Sequence, residues 1–296
     1  MNAAARQGGA GTLLRLMPAV FVLIWSTGFI VARYGMPHAP PLKFLALRFG
    51  LSVLCLGVWA GLSRAAWPRE RDQWKHLAIT GLLVHAMYLA GVWSAVKLGM
   101  GAGLIALLVG LQPVLTAVWV SARGGRVAAT QWLGLALGLA GLALVVWQKL
   151  GLGEIHPLNF ALALGAMLSI TIGTLYQKRF LKPCAVPTAN FIQSLAACAA
   201  TLPMALWLES EPIHFNAPLI AAMAWSVLVL TLGGSSLLYL LIQRGAATAV
   251  TSLLYLVPPC TALMAWALFA EPITVLTLAG TALTALGVSL VVRSRT

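Results

Sequence analysis

Ten apolar runs, each about 20 residues long, dominate this sequence and restrict the environment in which it can fold. A helix of that length crosses the hydrocarbon core of a bilayer, where every backbone hydrogen bond must be made within the protein. The runs cover residues 13–32, 42–62, 76–95, 101–121, 130–148, 157–177, 188–208, 218–241, 246–268 and 274–292. The sequence therefore predicts an all-α integral membrane protein with ten transmembrane helices.

The composition excludes a water-soluble fold. Of the 296 residues, 60% are apolar and 8% are charged, whereas about 25% are charged in soluble domains. The Lys and Arg residues lie almost wholly in short segments between the runs, which is typical of membrane topology signals and not of nucleic-acid binding. The four cysteines form no CxxC pair, so we expect no disulfide framework, metal or cofactor. The expected partners are a small-molecule substrate and membrane lipid, without nucleic acid, and a monomer is compatible with the sequence.

The basic residues also indicate how the chain is oriented. Fourteen of the 19 Lys and Arg fall on the side of the two termini, and the other five lie on the opposite side: Arg33, Lys43, Arg48, Lys97 and Lys149. By the positive-inside rule, this predicts a multi-pass protein of a bacterial-type inner (plasma) membrane with both termini in the cytoplasm. We call the two ends of the molecule the predicted inner face and the predicted outer face.

The second half of the chain repeats the first. At an offset of 145 residues the fourth run matches the ninth, and after one inserted residue the fifth matches the tenth; the informative pairs are Pro113 with Pro258, Gly134 with Gly280, and Gly141 with Gly287. Two five-helix copies must have opposite orientations because five is odd, and many secondary transporters are built from such inverted repeats. The predicted repeats are residues 1–148 and 149–296.

Several motifs resemble the EamA-type exporters of the drug/metabolite transporter superfamily, over essentially the whole chain. They are Trp25-Ser26-Thr27-Gly28-Phe29, Arg48-Phe49, Leu111-Gln112-Pro113-Val114, and Val257-Pro258 with Glu271 thirteen residues after the proline. The first repeat departs from the family pattern, because Arg126 stands where a Glu is usual. The resemblance implies two inverted EamA repeats and export, and the first motif is most similar to exporters of aromatic and other neutral amino acids.

Polar side chains within the apolar runs predict a central cavity, because they are costly when they face lipid. The candidates for substrate binding are Trp25, Ser26, His85, Tyr88, Gln112, Ser169, Tyr176, Tyr239, Ser252 and Tyr255. Alternatives stay open for several of them. Hydroxyls near glycine can be helix-packing contacts, tyrosines at the ends of runs can be interfacial anchors, and Gln112 can satisfy the carbonyl freed by Pro113.

Arg48 lies about two helical turns into its run from the predicted outer face. It can contact a substrate carboxylate, or its side chain can extend to place the charge among the lipid headgroups. The hinge candidates interrupt helical hydrogen bonding or thin the chain locally, and they are Pro113, Gly233, Gly234, Pro258 and Pro259.

The acidic residues bear on ion coupling and on the class of protein. The middle of each run lacks Asp and Glu, so a carboxylate proton relay or an oxygen-rich sodium site has no obvious ligands. We therefore expect an inner-membrane exporter of small neutral metabolites, with amino acids favoured, that works by alternating access with weak or no ion coupling. An exporter of drug-like or other small metabolites and a passive channel are the alternatives. We expect no enzyme, because the runs contain no HExxH metal motif or paired aspartates.

His85 is the one histidine well inside a run, and an imidazole changes its charge near neutral pH. It is either a proton-sensitive gating group or a neutral imidazole bonded to a neighbouring helix. If it gates transport, His85→Gln should flatten the pH dependence of flux, measured in proteoliposomes between about pH 5 and 8. An unchanged pH profile would remove that role.

Overall fold

A computed structural model describes residues 3–122, 124, 128–151, 153–243 and 256–293, and the regular structure of these residues is entirely helical. The helices are α1 (Ala3–Gly35), α2 (Pro41–Leu62), α3 (Arg71–Lys97), α4 (Ala102–Val109), α5 (Gln112–Ala122), α6 (Ala129–Gly151), α7 (Pro157–Phe180), α8 (Val186–Leu208), α9 (217–243), α10 (Val257–Phe269) and α11 (Val275–Arg293). Two of them contain a π-helical segment, at Leu82–Met87 in α3 and at Trp225–Ser235 in α9.

Length and composition identify the membrane helices. Six described helices are long and apolar enough to cross a bilayer, namely α2, α3, α6, α7, α8 and α9. Four shorter apolar segments cover Ala19–Gly35, Ala102–Thr116, Val257–Phe269 and Val275–Leu290. The chain is therefore a multi-span membrane protein, and the count of ten spans stays a prediction.

The fourth predicted run consists of two helices instead of one. α4 ends at Val109 and α5 begins at Gln112, so the chain is interrupted directly before Pro113. The interruption lies against α10. The approach is close: a Cβ placed on Gly110 would be 2.7 Å from the Cγ atom of Pro258. Pro113 and Pro258 both lie in the first turn of a helix, where the N–H that proline lacks would have no helical partner. These prolines therefore begin helices.

The two halves of the chain pack against each other through corresponding helices. α2 packs on α8, α4 on α10, and α6 on α11, and each of these pairs joins equivalent positions of the sequence repeat. In the remaining main contacts α3 packs on α7 and on α8, and α1 packs on α9 and α10. This is the pairing that a twofold relation between the halves would produce.

The α6–α11 contact depends on small residues. A Cβ added to Gly141 would meet the carbonyl oxygen of Gly280, and one added to Gly287 would meet that of Gly134. The hydroxyl of Thr284 donates to the carbonyl oxygen of Gly280 at 2.9 Å and lies 3.4 Å from that of Gly138 on α6. Glycine therefore lets the two backbones touch, as at other close helix crossings in membranes.

Gly141→Leu should force α6 and α11 apart, because its Cβ would lie 2.6 Å from the Thr284 Oγ1 atom. We expect the free energy of unfolding to fall by about 1–3 kcal/mol, measured by thermal denaturation in detergent. Gly165→Ala on α7 is the control, since its Cβ would meet open space and alanine favours a helix. Equal stability of Gly141→Leu and the parent would contradict this account of the packing.

Candidate functional site

The π-helical segment of α3 contains His85 and is bonded to neighbouring helices. A π turn widens the helix and leaves backbone groups without their regular partners. The hydroxyl of Ser169 on α7 donates to the carbonyl oxygen of Leu83 at 2.8 Å and so satisfies one of them. Just before this segment, Gly81 lies against the backbone of Gln193 on α8. The local widening thus fixes where His85 points.

The π-helical segment of α9 contains Thr231 and both predicted hinge glycines, Gly233 and Gly234. The Thr231 hydroxyl donates to the carbonyl oxygen of Ser226, five residues earlier, at 3.0 Å. That bond follows the spacing of a π turn. Because the two lone pairs of the hydroxyl oxygen can still accept, Thr231 is available to a donor from another helix.

A narrow cavity lies between α1, α2, α3 and α9, beside both π-helical segments. Its lining is mostly apolar and aromatic, with an arginine, a histidine, a tyrosine and a serine among it. The lining residues are Trp25, Gly28, Phe29, Arg48, Val84, His85, Tyr88, Leu89, Val92, Trp93, Leu230 and Ser235. Concave, largely apolar sites with a few converging polar groups are typical of small-molecule binding.

Arg48 is the charged group of this cavity and is only 5% exposed. Its Nε and Nη2 atoms lie 3.4 and 3.3 Å from the hydroxyl of Thr231, and its guanidinium carbon lies 6.0 Å from the centre of the Trp93 ring. The ion pairs of the described residues involve other side chains, so Arg48 has no carboxylate partner within this part of the chain. A buried guanidinium without a counter-ion is costly, and it is a ready site for an anionic group.

His85 and Tyr88 lie within the electrostatic reach of Arg48, and the indole of Trp25 pairs with the Tyr88 hydroxyl. The Nε2 atom of His85 is 3.1 Å from Oε1 of Gln193, so in this arrangement Nε2 carries the proton and donates. The side-chain nitrogen of Gln193 has no hydrogen-bond partner in the described part of the chain. His85 therefore belongs both to the cavity wall and to a contact with α8.

An aromatic pair lies at the end of the cavity that is nearer the predicted outer face. Phe44, in the first turn of α2, stacks on Trp93 with ring centres 4.4 Å apart, and both side chains are fully buried. Gly35, at the end of α1, allows this stack, because a Cβ there would be 3.3 Å from the Phe44 ring. Residues of α1, α2 and α3 thus pack together at this end of the cavity.

Three of the predicted binding residues make contacts between helices away from the cavity lining. The Ser26 hydroxyl donates to the carbonyl oxygen of Val22 at 2.8 Å and lies 3.5 Å from that of Val257 on α10. The amide of Gln112 donates to the Thr174 hydroxyl on α7 at 2.8 Å. Ser169 supports the π-helical segment of α3 as described above. For Ser169 this is the helix-packing role that the sequence left open, whereas Gln112 bonds α7 and not the carbonyl freed by Pro113.

The predicted tyrosines of α7 and α9 are also bonded elsewhere. The Tyr176 hydroxyl lies 2.6 Å from the Nδ1 atom of His76, within a group of rings that includes Phe180. The Tyr239 hydroxyl lies 3.0 Å from the sulfur of Cys184. Ser252 and Tyr255 lie outside the described residues. The structure therefore brings Trp25, Arg48, His85 and Tyr88 together around one cavity.

Several residues of the site were not predicted from the sequence, above all Trp93, Thr231 and Gln193. Trp93 could have been found, because it adjoins Val92, which continues the helical stripe of His85 and Tyr88. Thr231 is a single hydroxyl in an apolar run, and its bond to Arg48 depends on how two distant helices pack. Among the described residues, no group of three or more His, Cys, Asp and Glu is placed to hold a metal.

Comparison with known sequences assigns this architecture to a family. The EamA-like transporter family matches residues 14–147 and 158–293, once in each half of the chain. The chain belongs to the EamA-like transporter family. It is therefore a membrane transporter and not an enzyme.

Relatives of this EamA-like transporter are similar over most of their length. The uncharacterized transporter YvbV of Bacillus subtilis (strain 168) is 28% identical, covering 95% of this chain and 92% of YvbV. A probable amino-acid metabolite efflux pump of Salmonella typhimurium is 26% identical, covering 88% of this chain and 89% of the pump. The uncharacterized inner membrane transporter YedA of Escherichia coli (strain K12) is 29% identical over 187 residues, covering 62% of this chain and 60% of YedA.

A protein of known crystal structure has the same fold as this EamA-like transporter. The two superimpose with a TM-score of 0.69 at 19% sequence identity, covering 93% of this chain and 94% of the other. The likeness thus concerns the arrangement of helices.

Thr231→Val should destabilise the EamA-like transporter, because it removes the oxygen that faces the buried Arg48 donors. We expect the free energy of unfolding to fall by about 1–3 kcal/mol, measured by thermal denaturation in detergent. Thr231→Ser keeps the oxygen and should stay near the parent value. If the valine and serine variants were equally stable, the bond to Arg48 would not matter.

Proposed function

We propose that this EamA-like transporter exports small neutral or zwitterionic metabolites, with amino acids as the favoured class, across a bacterial-type inner membrane. The lining of the cavity supports a small solute, because it consists of aromatic rings and apolar side chains with a few polar groups. Export, the inner membrane and the amino-acid class are supported by relatives, namely the probable amino-acid metabolite efflux pump and the inner membrane transporter YedA.

The proposed architecture is ten transmembrane helices in two inverted repeats, divided near residue 148, with both termini in the cytoplasm. It is supported by the two family matches and by the packing of α2 on α8, α4 on α10, and α6 on α11. In such an architecture one central site can face either side in turn, because the two halves can pack in two nearly equivalent ways. Gly233 and Gly234, with Pro113, Pro258 and Pro259, are the proposed hinges.

The buried guanidinium of Arg48 is the observation that carries the proposed substrate class. A carboxylate can form two parallel hydrogen bonds with a guanidinium, which fixes its orientation as well as its position. The rings of Trp25, Tyr88 and Trp93 would then contact the apolar part of the solute. Ser252 and Tyr255 stay candidates for the same site on the sequence alone.

Weak or absent ion coupling is part of the proposal. Glu209 lies directly after α8, and Glu271 lies two residues after α10, so both are at helix ends and away from the cavity lining. A coupled sodium ion would need several oxygen ligands, and a proton relay would need carboxylates near the substrate. His85 is the titratable imidazole in the wall of the cavity.

The alternatives are an exporter of drug-like or other small metabolites and a passive channel. The Phe44–Trp93 stack disfavours a channel, because it places fully buried rings at one end of the cavity. Arg48 disfavours cationic drugs, because a cation would be repelled by the guanidinium. Uptake of labelled amino acids into proteoliposomes, with and without a pH gradient, tests transport and coupling together. No uptake under either condition would contradict the proposal.

Arg48→Gln should reduce transport of an amino acid by about tenfold or more, because the carboxylate loses a charge-assisted contact. Transport of the matching amine, a cation without the carboxylate, should be slow in the parent because Arg48 repels it, and it should not fall in the variant. Initial uptake rates of both labelled compounds in proteoliposomes measure the difference. Arg33→Gln, at the end of α1 and outside the cavity lining, is the control. An equal loss for the acid and the amine would show that Arg48 does not bind the carboxylate.

A further inference from the structure

Glu209, directly after α8, holds the first turn of α2. Its Oε1 atom accepts a hydrogen bond from the backbone N–H of Leu42, and its Oε2 atom accepts one from that of Lys43, both at 2.8 Å. The residue that precedes α2 is Pro40, which provides no side-chain cap. The free N–H groups and the dipole of a helix N-terminus both favour a carboxylate at this position. Glu209 of the second half of the chain thus bonds the start of α2 in the first half, at the predicted outer face.

Glu271, shortly after α10, makes the same kind of contact with α4. Its Oε1 atom accepts a hydrogen bond from the backbone N–H of Ala102, the first residue of α4, at 3.1 Å. The approach is close, because a Cβ on Gly101 would lie 3.1 Å from the other carboxylate oxygen of Glu271. A carboxylate from the second repeat again holds the start of a helix in the first repeat, at the same face.

The repeat reverses the charge at both positions. At the offset of 145 residues Glu209 corresponds to Arg64 and Glu271 corresponds to Arg126, so each glutamate is matched by an arginine at the predicted inner face. A guanidinium has no lone pair with which to accept a hydrogen bond from a helix N-terminus. Arg126 lies outside the described residues, and its correspondence rests on the sequence alone.

The contact between α2 and α8 at the predicted inner face shows the consequence of this reversal. Thr188, the counterpart of Lys43, donates its hydroxyl to the carbonyl oxygen of Ala66 at 3.0 Å, so the end of α2 does lie beside the start of α8. The start of α8 nevertheless has no side-chain cap, and Arg64 is exposed. The contact between α2 and α8 thus occurs at both faces, whereas a carboxylate at the position of Glu209 occurs only at the predicted outer face.

Among the residues that the structure describes, no other contact at the predicted inner face brings a carboxylate of one repeat to the start of a helix in the other. The side chain of Gln73 bonds the backbone of Lys182, which ties α3 to the segment before α8. Lys182 also pairs with Glu70, but both side chains are more than half exposed. An exposed ion pair contributes little, because water and salt screen it.

We infer that Glu209 and Glu271 latch the predicted outer face, so that the transporter rests closed to the outside and opens more readily to the inside. The inference rests on the alternating access proposed above. Phe44 directly follows Lys43, so opening the Phe44–Trp93 end of the cavity to the outside would pull α2 away from Glu209. The charge reversal between the repeats makes two otherwise similar gates unequal.

The test measures how fast a cysteine in the cavity wall reacts from each side of the membrane. Cys55, Cys184, Cys198 and Cys260 are replaced by serine, and Val92→Cys provides the reporter in the lining. A membrane-impermeant maleimide is applied to right-side-out and to inside-out vesicles. We expect faster labelling from the inner face in the parent, and a rise of about tenfold or more in outer-face labelling for Glu209→Gln and for Glu271→Gln.

Glu211→Gln is the matched control, because Glu211 lies two residues after Glu209 and forms an exposed ion pair with Lys97 at 3.1 Å. Its outer-face labelling should stay within about twofold of the parent. Unchanged outer-face labelling in both latch variants, or an equal rise in Glu211→Gln, would overturn the latch.

Arg64→Glu keeps the test decisive if a latch variant fails to fold. It places a carboxylate at the counterpart position beside α8, and it should slow labelling from the inner face. An unchanged inner-face rate would count against the latch.

Failure of the proposed function gives a different result from failure of the latch. A reporter that is unlabelled from both faces in every variant would contradict the alternating cavity, whereas one labelled from both faces at rates independent of the glutamates would contradict only the latch.

Discussion

Lipid offers backbone groups no hydrogen-bond partner, and the described structure is organised around that constraint. Where α3 widens into a π-helix, Ser169 of α7 bonds a carbonyl oxygen of the widened segment. Where α2 and α4 begin, Glu209 and Glu271 bond their free N–H groups from the other half of the chain. Because these partners come from other helices, satisfying the backbone also fixes how the helices pack, and this packing positions the cavity.

A single buried cation gives the cavity its chemical character. Arg48 is tolerated between helices because the hydroxyl of Thr231 and the ring of Trp93 lie beside it. Removing such a charge from water is costly, and a neutral side chain would fill the same space at lower cost. The π-helical segments contribute to this arrangement, since one contains Thr231 and the other carries His85. Local irregularity in two helices is thus linked to the position of one charged group.

The polar residues of the site could be predicted only in part. Trp25, Arg48, His85 and Tyr88 were singled out from the sequence, and they do lie around one cavity. Ser26, Gln112 and Ser169 were also singled out, but Gln112 and Ser169 bond neighbouring helices, and Ser26 bonds Val22 of its own helix. A polar stripe shows only that a helix face avoids lipid, because a cavity and a helix contact satisfy a hydroxyl equally well. Gln193 was missed, since its role depends on the contact of α8 with α3.

Hydropathy and length alone determined that this chain is a helical membrane protein, because about 20 apolar residues have one stable arrangement in a bilayer. The internal match of prolines and glycines likewise indicated two related halves. The sequence did not determine where a helix is interrupted or which faces meet. Only the tertiary structure placed the break between α4 and α5 beside Pro258, and only it brought Glu209 to the start of α2. The physical reason is that spacing along one helix fixes the directions of its side chains, whereas a contact also depends on the position and rotation of a second helix.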